Sequence, residues 1–116
     1  MRRLLIIGCG DIGLRLANAL RGRWRIYALT HSHDRVVMLR AEGVTPLSGD
    51  LDRPETLVRI AGLAQDVVHL APPPGSGTRD TRTINLIRAL AKGGSLPQRL
   101  VYISTSGVYG DRKSVV

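Results

Sequence analysis

The sequence has one cysteine, no phenylalanine and no long apolar segment. A single cysteine, Cys9, excludes an internal disulfide, which agrees with a reducing compartment such as the cytoplasm. No apolar stretch approaches the roughly 20 residues of a membrane span. The apolar run at residues 4–7 is also shorter than the roughly 7 to 15 residues of a secretory signal core. We therefore expect a cytoplasmic protein with no membrane partner.

Acidic residues are scarce relative to basic ones: there are 9 against 17, and the net charge is +8. Such a balance makes anionic partners worth considering. The basic residues are scattered, however, and an aromatic content of 3% leaves few side chains to stack on bases. We expect no specific nucleic-acid binding, with weak nonspecific binding at low salt left open.

Apolar strands alternate with amphipathic helices along the chain. Because the strands read as continuous apolar runs separated by helices, they indicate a parallel sheet covered on both faces. We predict one Rossmann-like, doubly wound α/β domain over residues 1–116, with strand order 3-2-1-4-5. The predicted strands are residues 4–7, 24–29, 44–47, 67–70 and 100–103.

Local signals place the helices between these strands. Gly43 is expected to terminate the second helix, and Pro46 places the third strand at the sheet edge. The spacing of Asp52 and Glu55 around Pro54 predicts an N-terminal capping arrangement for a third helix that runs to about Ala64.

A glycine motif lies between the first strand and the first helix. Gly8, Gly10 and Gly13 have the G-x-G-x-x-G spacing of dinucleotide-binding turns, in which helix N–H groups face the pyrophosphate. We predict that this turn, including Asp11 and Ile12, binds a nicotinamide dinucleotide. Asp11 is expected to cap the helix rather than to touch the anionic ligand. The alternative is a turn that serves packing alone.

The end of the second strand bears on the choice between NAD and NADP. NAD sites usually place an acid there, about 20 residues after the glycines. This chain has Thr30, His31 and Ser32, with Arg35 close by. A 2′-phosphate would be less repelled here than beside a carboxylate. NADP is therefore favoured over NAD, with His31 and Arg35 as candidate contacts. Asp34 would support NAD if the loop folds back.

Two further loops are candidate cofactor contacts. Asp50 and Leu51 follow the third strand and are expected to hold the adenine, or else simply to begin the next helix. Ala71 and Pro72 follow the fourth strand, at the edge where open α/β sheets bind ligands. They are expected to border the nicotinamide pocket, although a stiff proline connector is an alternative.

None of the three histidines is expected to bind a metal. His31 and His33 have no third ligand placed to complete a metal site, so we expect no metal. His69 lies within an apolar strand, where we expect a buried core histidine.

Together these motifs resemble the N-terminal part of the extended or atypical short-chain dehydrogenases/reductases, in the NAD-dependent epimerase/dehydratase branch. The resemblance rests on LLIIGCGDIG at residues 4–13, GDL at 49–51, VHLA at 68–71 and STSGVYG at 104–110. It implies that Thr105 is the catalytic hydroxyl that hydrogen-bonds the reacting oxygen of the substrate.

The chain departs from this family in two ways. Ile7 stands where the family has the first glycine of G-x-x-G-x-x-G. The family also has a later Tyr-x-x-x-Lys helix, whose tyrosine exchanges a proton with the substrate. We expect neither this helix nor its Tyr/Lys pair after the last motif, and therefore a truncated, catalytically incomplete domain. The uncovered edge of the fifth strand then predicts a homodimer.

A second hypothesis is a nucleotide-sensing regulatory module of the kind that gates potassium transport. Such modules share the glycine motif and a Gly-Asp after the third strand, as at Gly49 and Asp50. Thr30, where those modules usually place an acid, disfavours this alternative.

Overall fold

The computed structural model describes residues 2–8, 10–71, 80–92 and 96–103. Within them five strands alternate with three α-helices and one 3-10 helix. In chain order these are β1 (Arg2–Ile7), α1 (Asp11–Ala19), β2 (Trp24–Thr30), α2 (His33–Ala41), β3 (Thr45–Ser48), the 3-10 helix (Pro54–Ile60), β4 (Asp66–His69), α3 (Thr81–Ala91) and β5 (Arg99–Tyr102).

All strand pairs are parallel, and the order is β3-β2-β1-β4-β5. The predicted doubly wound α/β fold is therefore confirmed. β1 lies at the centre because its last four residues are apolar and fully buried between two neighbouring strands. β3 lies at an edge, as Pro46 predicted, since proline cannot donate to a second neighbour. Gly43 follows α2 with a φ of +79°, as expected of a helix-terminating glycine.

Side chains alternate between two cores, one on each face of the sheet. Leu5 and Ile7 of β1 face the 3-10 helix and α3, whereas Leu4 and Ile6 face α1 and α2. This alternation follows from the two-residue period of a strand, and it buries both faces as a doubly wound sheet requires. The carboxyl ends of the strands therefore open onto a single edge between two helical layers.

The third predicted helix is wrong in type, length and cap. It is a 3-10 helix that ends at Ile60 instead of Ala64. Arg53 precedes it, and no side chain forms a capping hydrogen bond at its N-terminus. The contacts of two residues, Thr56 and Asp52, explain the difference. Thr56 Oγ1 donates to a nearby backbone carbonyl and accepts from the Asp50 N–H, and the Asp52 carboxylate is bound elsewhere, by Arg82. The sequence has the capping pattern, but Asp52 forms an ion pair with Arg82 instead of capping the 3-10 helix.

No helix in the described ranges is long and apolar enough to cross a membrane.

Candidate functional site

The glycine turn joins the carboxyl end of β1 to α1. Gly8 has a φ of +81°, in the left-handed region that favours glycine. The Gly10 N–H donates to the Gly8 carbonyl at 2.8 Å, and Leu14 N–H donates to the Gly10 carbonyl at 2.9 Å. Gly13 is buried within α1. The chain thus enters the helix through a tight, hydrogen-bonded turn.

The first two glycines meet different demands. A Cβ atom on Gly8 would lie 2.6 Å from the backbone nitrogen of Ala71, so the fold itself requires glycine there. A Cβ on Gly10 would meet no atom of the described residues within 4 Å, and its φ of −90° suits any residue. Nothing within the described chain explains glycine at this position. The space beside Gly10 fits the close approach of a ligand.

The N-terminus of α1 lies at the same place. Gly10 is the residue before the helix, and no side chain caps the first N–H groups. The expectation that Asp11 caps α1 is wrong, because Asp11 is the first helical residue and points to solvent. Ile12 is also exposed. Unpaired N–H groups and the helix dipole together favour an anion here.

An inner cavity of about 350 Å³ opens beside the turn. It brings together five predicted contacts: Gly8, His31, Asp50, Leu51 and Ala71. The full lining is Ile7, Gly8, Leu29, His31, Gly49, Asp50, Leu51, Asp52, Ala71 and Arg82. Residues from the carboxyl ends of β1 to β4 therefore converge on one concave surface.

One ion pair spans the rim of the inner cavity. Arg82, in the first turn of α3, donates from Nε and Nη2 to the two Asp52 carboxylate oxygens at 3.0 and 3.1 Å. The hydrogen bond from Arg82 lowers the pKa of Asp52, and the same bond raises the pKa of Arg82. Nearby, Asn85 Nδ2 donates to the Leu51 carbonyl at 2.7 Å. These contacts tie α3 to the loop after β3.

An outer cavity of about 380 Å³ adjoins the inner one and shares His31, Gly49 and Asp50 with it. Its lining is mostly hydroxyl and basic side chains, with Asp50 as its one acid: Thr30, His31, Ser32, His33, Val36, Ser48, Gly49, Asp50, Arg53 and Thr56. Arg53 was not predicted as a contact, because it lies after β3, whereas the contacts of a 2′-phosphate were expected at the end of β2. Arg35, which was predicted, does not line either cavity. Asp34 does not line them either.

Asp50 is held by local bonds. Its N–H donates to Thr56 Oγ1 at 2.9 Å, and its Oδ1 accepts from the Asp52 N–H at 2.9 Å. Asp50 lines both cavities, and its second carboxylate oxygen has no hydrogen bond from the described residues. Asp50 is therefore a pre-oriented acceptor.

A polar cluster lies at the carboxyl ends of β4 and β5. His69 is buried, and its Nε2 donates to Thr83 Oγ1 at 2.9 Å, since that hydroxyl itself donates to Asp80 at 2.7 Å. Tyr102 donates to the same Asp80 carboxylate at 3.0 Å and stacks on His69, with ring centroids 4.5 Å apart. No described residue partners His69 Nδ1.

The charge states of this cluster follow from burial and bonding. Burial lowers the pKa of His69 despite the opposing effect of Asp80. For Asp80, burial opposes ionisation, but the hydrogen bonds from Thr83 and Tyr102 outweigh it and lower the pKa. Burial, followed by the bond to Asp80, raises the pKa of Tyr102. The cluster thus holds a neutral imidazole, a carboxylate and a phenol at neutral pH.

Two predicted site residues, Pro72 and Thr105, lie outside the described ranges. The expected absence of a Tyr/Lys pair is wrong in the sequence itself, because Tyr109 and Lys113 have the Tyr-x-x-x-Lys spacing, with Tyr109 as the tyrosine of the Val-Tyr-Gly motif. Both also lie outside the described ranges. Among the residues described, no group of three or more acidic, histidine or cysteine side chains could hold a metal.

The sequence profile of the TrkA-N domain family matches residues 4–95. The chain belongs to the TrkA-N domain family. The matched region begins in β1 and ends after α3, so it includes the glycine turn and both cavities. Among curated proteins, none matches this chain.

Solved structures share the fold of this TrkA-N domain. Vestitone reductase from alfalfa (Medicago sativa L.) aligns with a TM-score of 0.69 and 17% identity over 88% of this chain. Triphenylmethane reductase from Citrobacter sp., complexed with NADP(H), gives 0.67 and 22% over 78%. A wide-type short-chain dehydrogenase/reductase from Veillonella parvula, in complex with NADP, gives 0.65 and 19% over 85%.

The TrkA-N domain spans only part of these proteins, covering 36%, 34% and 45% of the three chains. At these identities the alignments show a common fold. The sequence-based resemblance to the N-terminal part of the short-chain dehydrogenases/reductases is confirmed at that level, as a Rossmann-like domain.

Proposed function

We propose that this TrkA-N domain binds a nicotinamide dinucleotide as the cofactor-binding part of an epimerase/dehydratase-type oxidoreductase. Gly10 carries the proposal. It is a glycine that no described contact requires, it stands at the N-terminus of α1 without a side-chain cap, and it lies two residues after Gly8, which lines the cavity that reaches Asp50.

Different described residues would hold different parts of the cofactor. The first N–H groups of α1 would receive the pyrophosphate, with Asp11 and Ile12 exposed beside it. Asp50 would accept from an adenosine hydroxyl or amino group in the inner cavity, with Leu51 and Ala71 as walls. When bound, the nicotinamide supplies or accepts a hydride. The chain's own part is to orient the cofactor and exclude water.

We infer that NADP is preferred to NAD. The outer cavity carries His31, His33 and Arg53 against the single acid Asp50, which suits a phosphate monoester. Two of the similar structures are complexes with NADP or NADP(H). Arg53 replaces Arg35 as the proposed phosphate contact, since only Arg53 lines the cavity.

We do not expect the 116 residues alone to catalyse a reaction. Thr105 keeps its predicted role as the hydroxyl that would orient a substrate oxygen, and we expect turnover to need more than this chain. An assay of NADPH oxidation with a panel of carbonyl compounds should show no rate above background. Measurable turnover that Thr105→Ala and Tyr109→Phe each abolish would reverse this expectation.

We also propose a homodimer through β5. β5 is an edge strand of the described sheet, and the exposed apolar residues Leu96 and Ile103 flank it. Light scattering should give the mass of a dimer, whereas a monomer at high concentration would count against this interface. A cytoplasmic location remains the prediction that the single cysteine supports.

A second candidate function is a nucleotide-sensing regulatory module of the potassium-transport type, which the TrkA-N family match favours. Both candidates bind a nucleotide at the same turn, so binding alone does not separate them. Nucleotide-dependent assembly with a membrane transporter would support the regulatory module. A dinucleotide held with no change in assembly would support the reductase-type domain.

Thermal unfolding with NADPH, NADH and no ligand tests the shared claim. A ligand at 100 times its Kd stabilises the folded state by about 2.7 kcal/mol. We expect a rise in Tm with both dinucleotides and a larger rise with NADPH. No shift at millimolar dinucleotide would refute the proposal.

A further inference from the structure

The excess positive charge lies at the amino edge of the sheet, opposite the candidate dinucleotide site. All five strands are parallel, so they begin at one edge and end at the other. Arginines occupy the first two positions of β1, the second of β2, the first of β5 and the turn into β2. We call this the amino-edge surface: Arg2, Arg3, Arg21, Arg23, Arg25 and Arg99.

Acidic side chains are concentrated at the other edge. Of the eight acids in the described ranges, six lie in the first turn of a helix, at a helix N-cap or in the loop after β3: Asp11, Asp34, Asp50, Asp52, Glu55 and Asp80. The remaining two are Glu42, after α2, and Asp66, at the start of β4. The dinucleotide site therefore does not account for the charge of +8.

Asp66 neutralises only a small part of the amino-edge surface. It is buried, with Arg2 Nε at 3.1 Å and Arg99 Nε at 3.7 Å. Even so, the side chain of Arg99 is 74% exposed. Arg3 donates from Nε to the Leu63 carbonyl at 2.6 Å.

The remaining arginines of this surface, Arg21, Arg23 and Arg25, are exposed. In the described part of the chain none of them forms an ion pair. The carboxyl ends of three α-helices also lie at this edge. Each contributes a partial charge of only about −0.5.

An aromatic ring lies among these cations. Arg2 pairs in register with Trp24, and Arg3 pairs with Arg25, across the adjacent strands β1 and β2. The Arg2 guanidinium carbon lies 5.7 Å from the centroid of the Trp24 ring. Trp24 is half-buried and is the one tryptophan of the chain. A partly exposed indole thus lies beside the Arg2 guanidinium, and Arg3 and Arg25 lie on the opposite face of the β1–β2 pair.

We propose that the amino-edge surface binds single-stranded nucleic acid through its phosphates. Guanidinium groups bond phosphate oxygens in a two-pronged geometry, and 15 of the 17 basic residues are arginine. Trp24 offers a base a stacking platform, as single-strand binding surfaces do. A membrane surface would need a row of exposed apolar side chains among the arginines. Of the exposed large apolar residues described, Leu96 alone lies in a connection to this edge.

This interaction does not read base sequence, which agrees with the expectation of no specific nucleic-acid binding. It is also independent of the dinucleotide, because the two surfaces lie at opposite edges of the sheet. Both ligands should bind together.

The test is fluorescence anisotropy of a labelled 20-nucleotide single-stranded RNA, and of the same DNA sequence, at salt concentrations from 25 to 200 mM. Arg23→Glu/Arg25→Glu should weaken binding at least tenfold. It should reduce the slope of log K against log salt by about 1.4, at roughly 0.7 per phosphate contact. The matched control Arg15→Glu/Arg35→Glu changes net charge equally away from this surface and should weaken binding less than threefold.

Three further measurements complete the test. Trp24 fluorescence should be quenched on binding, saturating NADPH should not compete, and Arg21→Glu alone should give a smaller loss in the same direction. Circular dichroism verifies that each variant is folded. No binding at 50 mM salt, equal losses in the two double variants, competition by NADPH, or binding to phosphatidylglycerol vesicles without binding to either oligonucleotide would each overturn the proposal.

Discussion

Gly8 and Ala71 approach so closely that a Cβ atom on Gly8 would lie 2.6 Å from the Ala71 nitrogen. The contact is fixed by the adjacent ladder, in which the Leu70 N–H donates to the Ile7 carbonyl at 2.7 Å. Gly8 is therefore a requirement of the fold. Gly10, two residues later, has open space beside it and an ordinary φ. The two glycines should separate stability from binding.

Substitution at these glycines should show that separation. Gly8→Ala places a side chain in the left-handed region and against Ala71, and should cost at least about 2 kcal/mol of unfolding free energy. Gly10→Ala should cost no more than about 1 kcal/mol, the scale of a helix-capping change. Urea unfolding of both variants measures this difference, and equal costs would show that Gly10 also has a structural role.

Arg53 should determine the preference for NADPH. Arg53→Gln removes a guanidinium from the outer cavity, and should weaken NADPH about tenfold, the scale of a lost charged hydrogen bond. NADH, which lacks the 2′-phosphate, should be nearly unaffected. Arg35→Gln is the matched control, because Arg35 lines neither cavity. If calorimetric titration finds the larger loss in Arg35→Gln, the sequence-based assignment was right and ours is wrong.

The Asp52–Arg82 pair should affect dinucleotide binding with opposite signs. Asp52→Asn removes a negative charge from the rim of the inner cavity, so it should strengthen NADPH binding roughly threefold at low salt. Arg82→Gln should weaken it by a similar factor. Loss of affinity in both variants would mean that the pair acts as a structural tie between α3 and the loop after β3.

His69 should make stability depend on pH. Burial lowers its pKa below the ordinary value of 6.5, so the folded state binds the proton less readily than the unfolded state. Stability is then fully present above pH 6.5 and falls as the pH drops through and below it, by at most about 1.4 kcal/mol per pH unit. Asp80 and Tyr102, which face His69, keep their charge states over this range. Urea midpoints between pH 5 and 7.5 measure this loss.

Two variants isolate the contribution of His69. His69→Gln retains a polar group toward Thr83 but cannot gain the proton, so its stability should vary less with pH. His31→Gln/His33→Gln, at two exposed positions, should keep the wild-type slope. Equal slopes in wild type and His69→Gln would assign the pH dependence to other groups.

Much of the fold followed from local patterns. Buried runs such as residues 4–7, the edge position forced by Pro46 and the terminating Gly43 all depend on residues close in sequence. The third helix failed because its outcome depends on a distant partner. Arg82 lies 30 residues from Asp52, and no local spacing reports that contact.

The candidate site shows the same division. The glycine turn and Asp50 could be predicted because motif spacing reports them. Arg53 could not, since its position at the outer cavity results from how β3 and the 3-10 helix pack. The bond from Thr83 to Asp80 did have a local signal, an Asp-x-x-Thr spacing at the start of α3.

Calorimetric titration of NADPH into the wild-type chain and into Gly10→Ala tests whether the glycine turn binds the dinucleotide. We expect saturable binding to the wild type at one site per chain, and a loss of affinity of at least tenfold in Gly10→Ala, whose fold and unfolding free energy stay close to wild type. Absence of binding to the wild type, or equal affinity in the two proteins, would show that the turn does not bind NADPH.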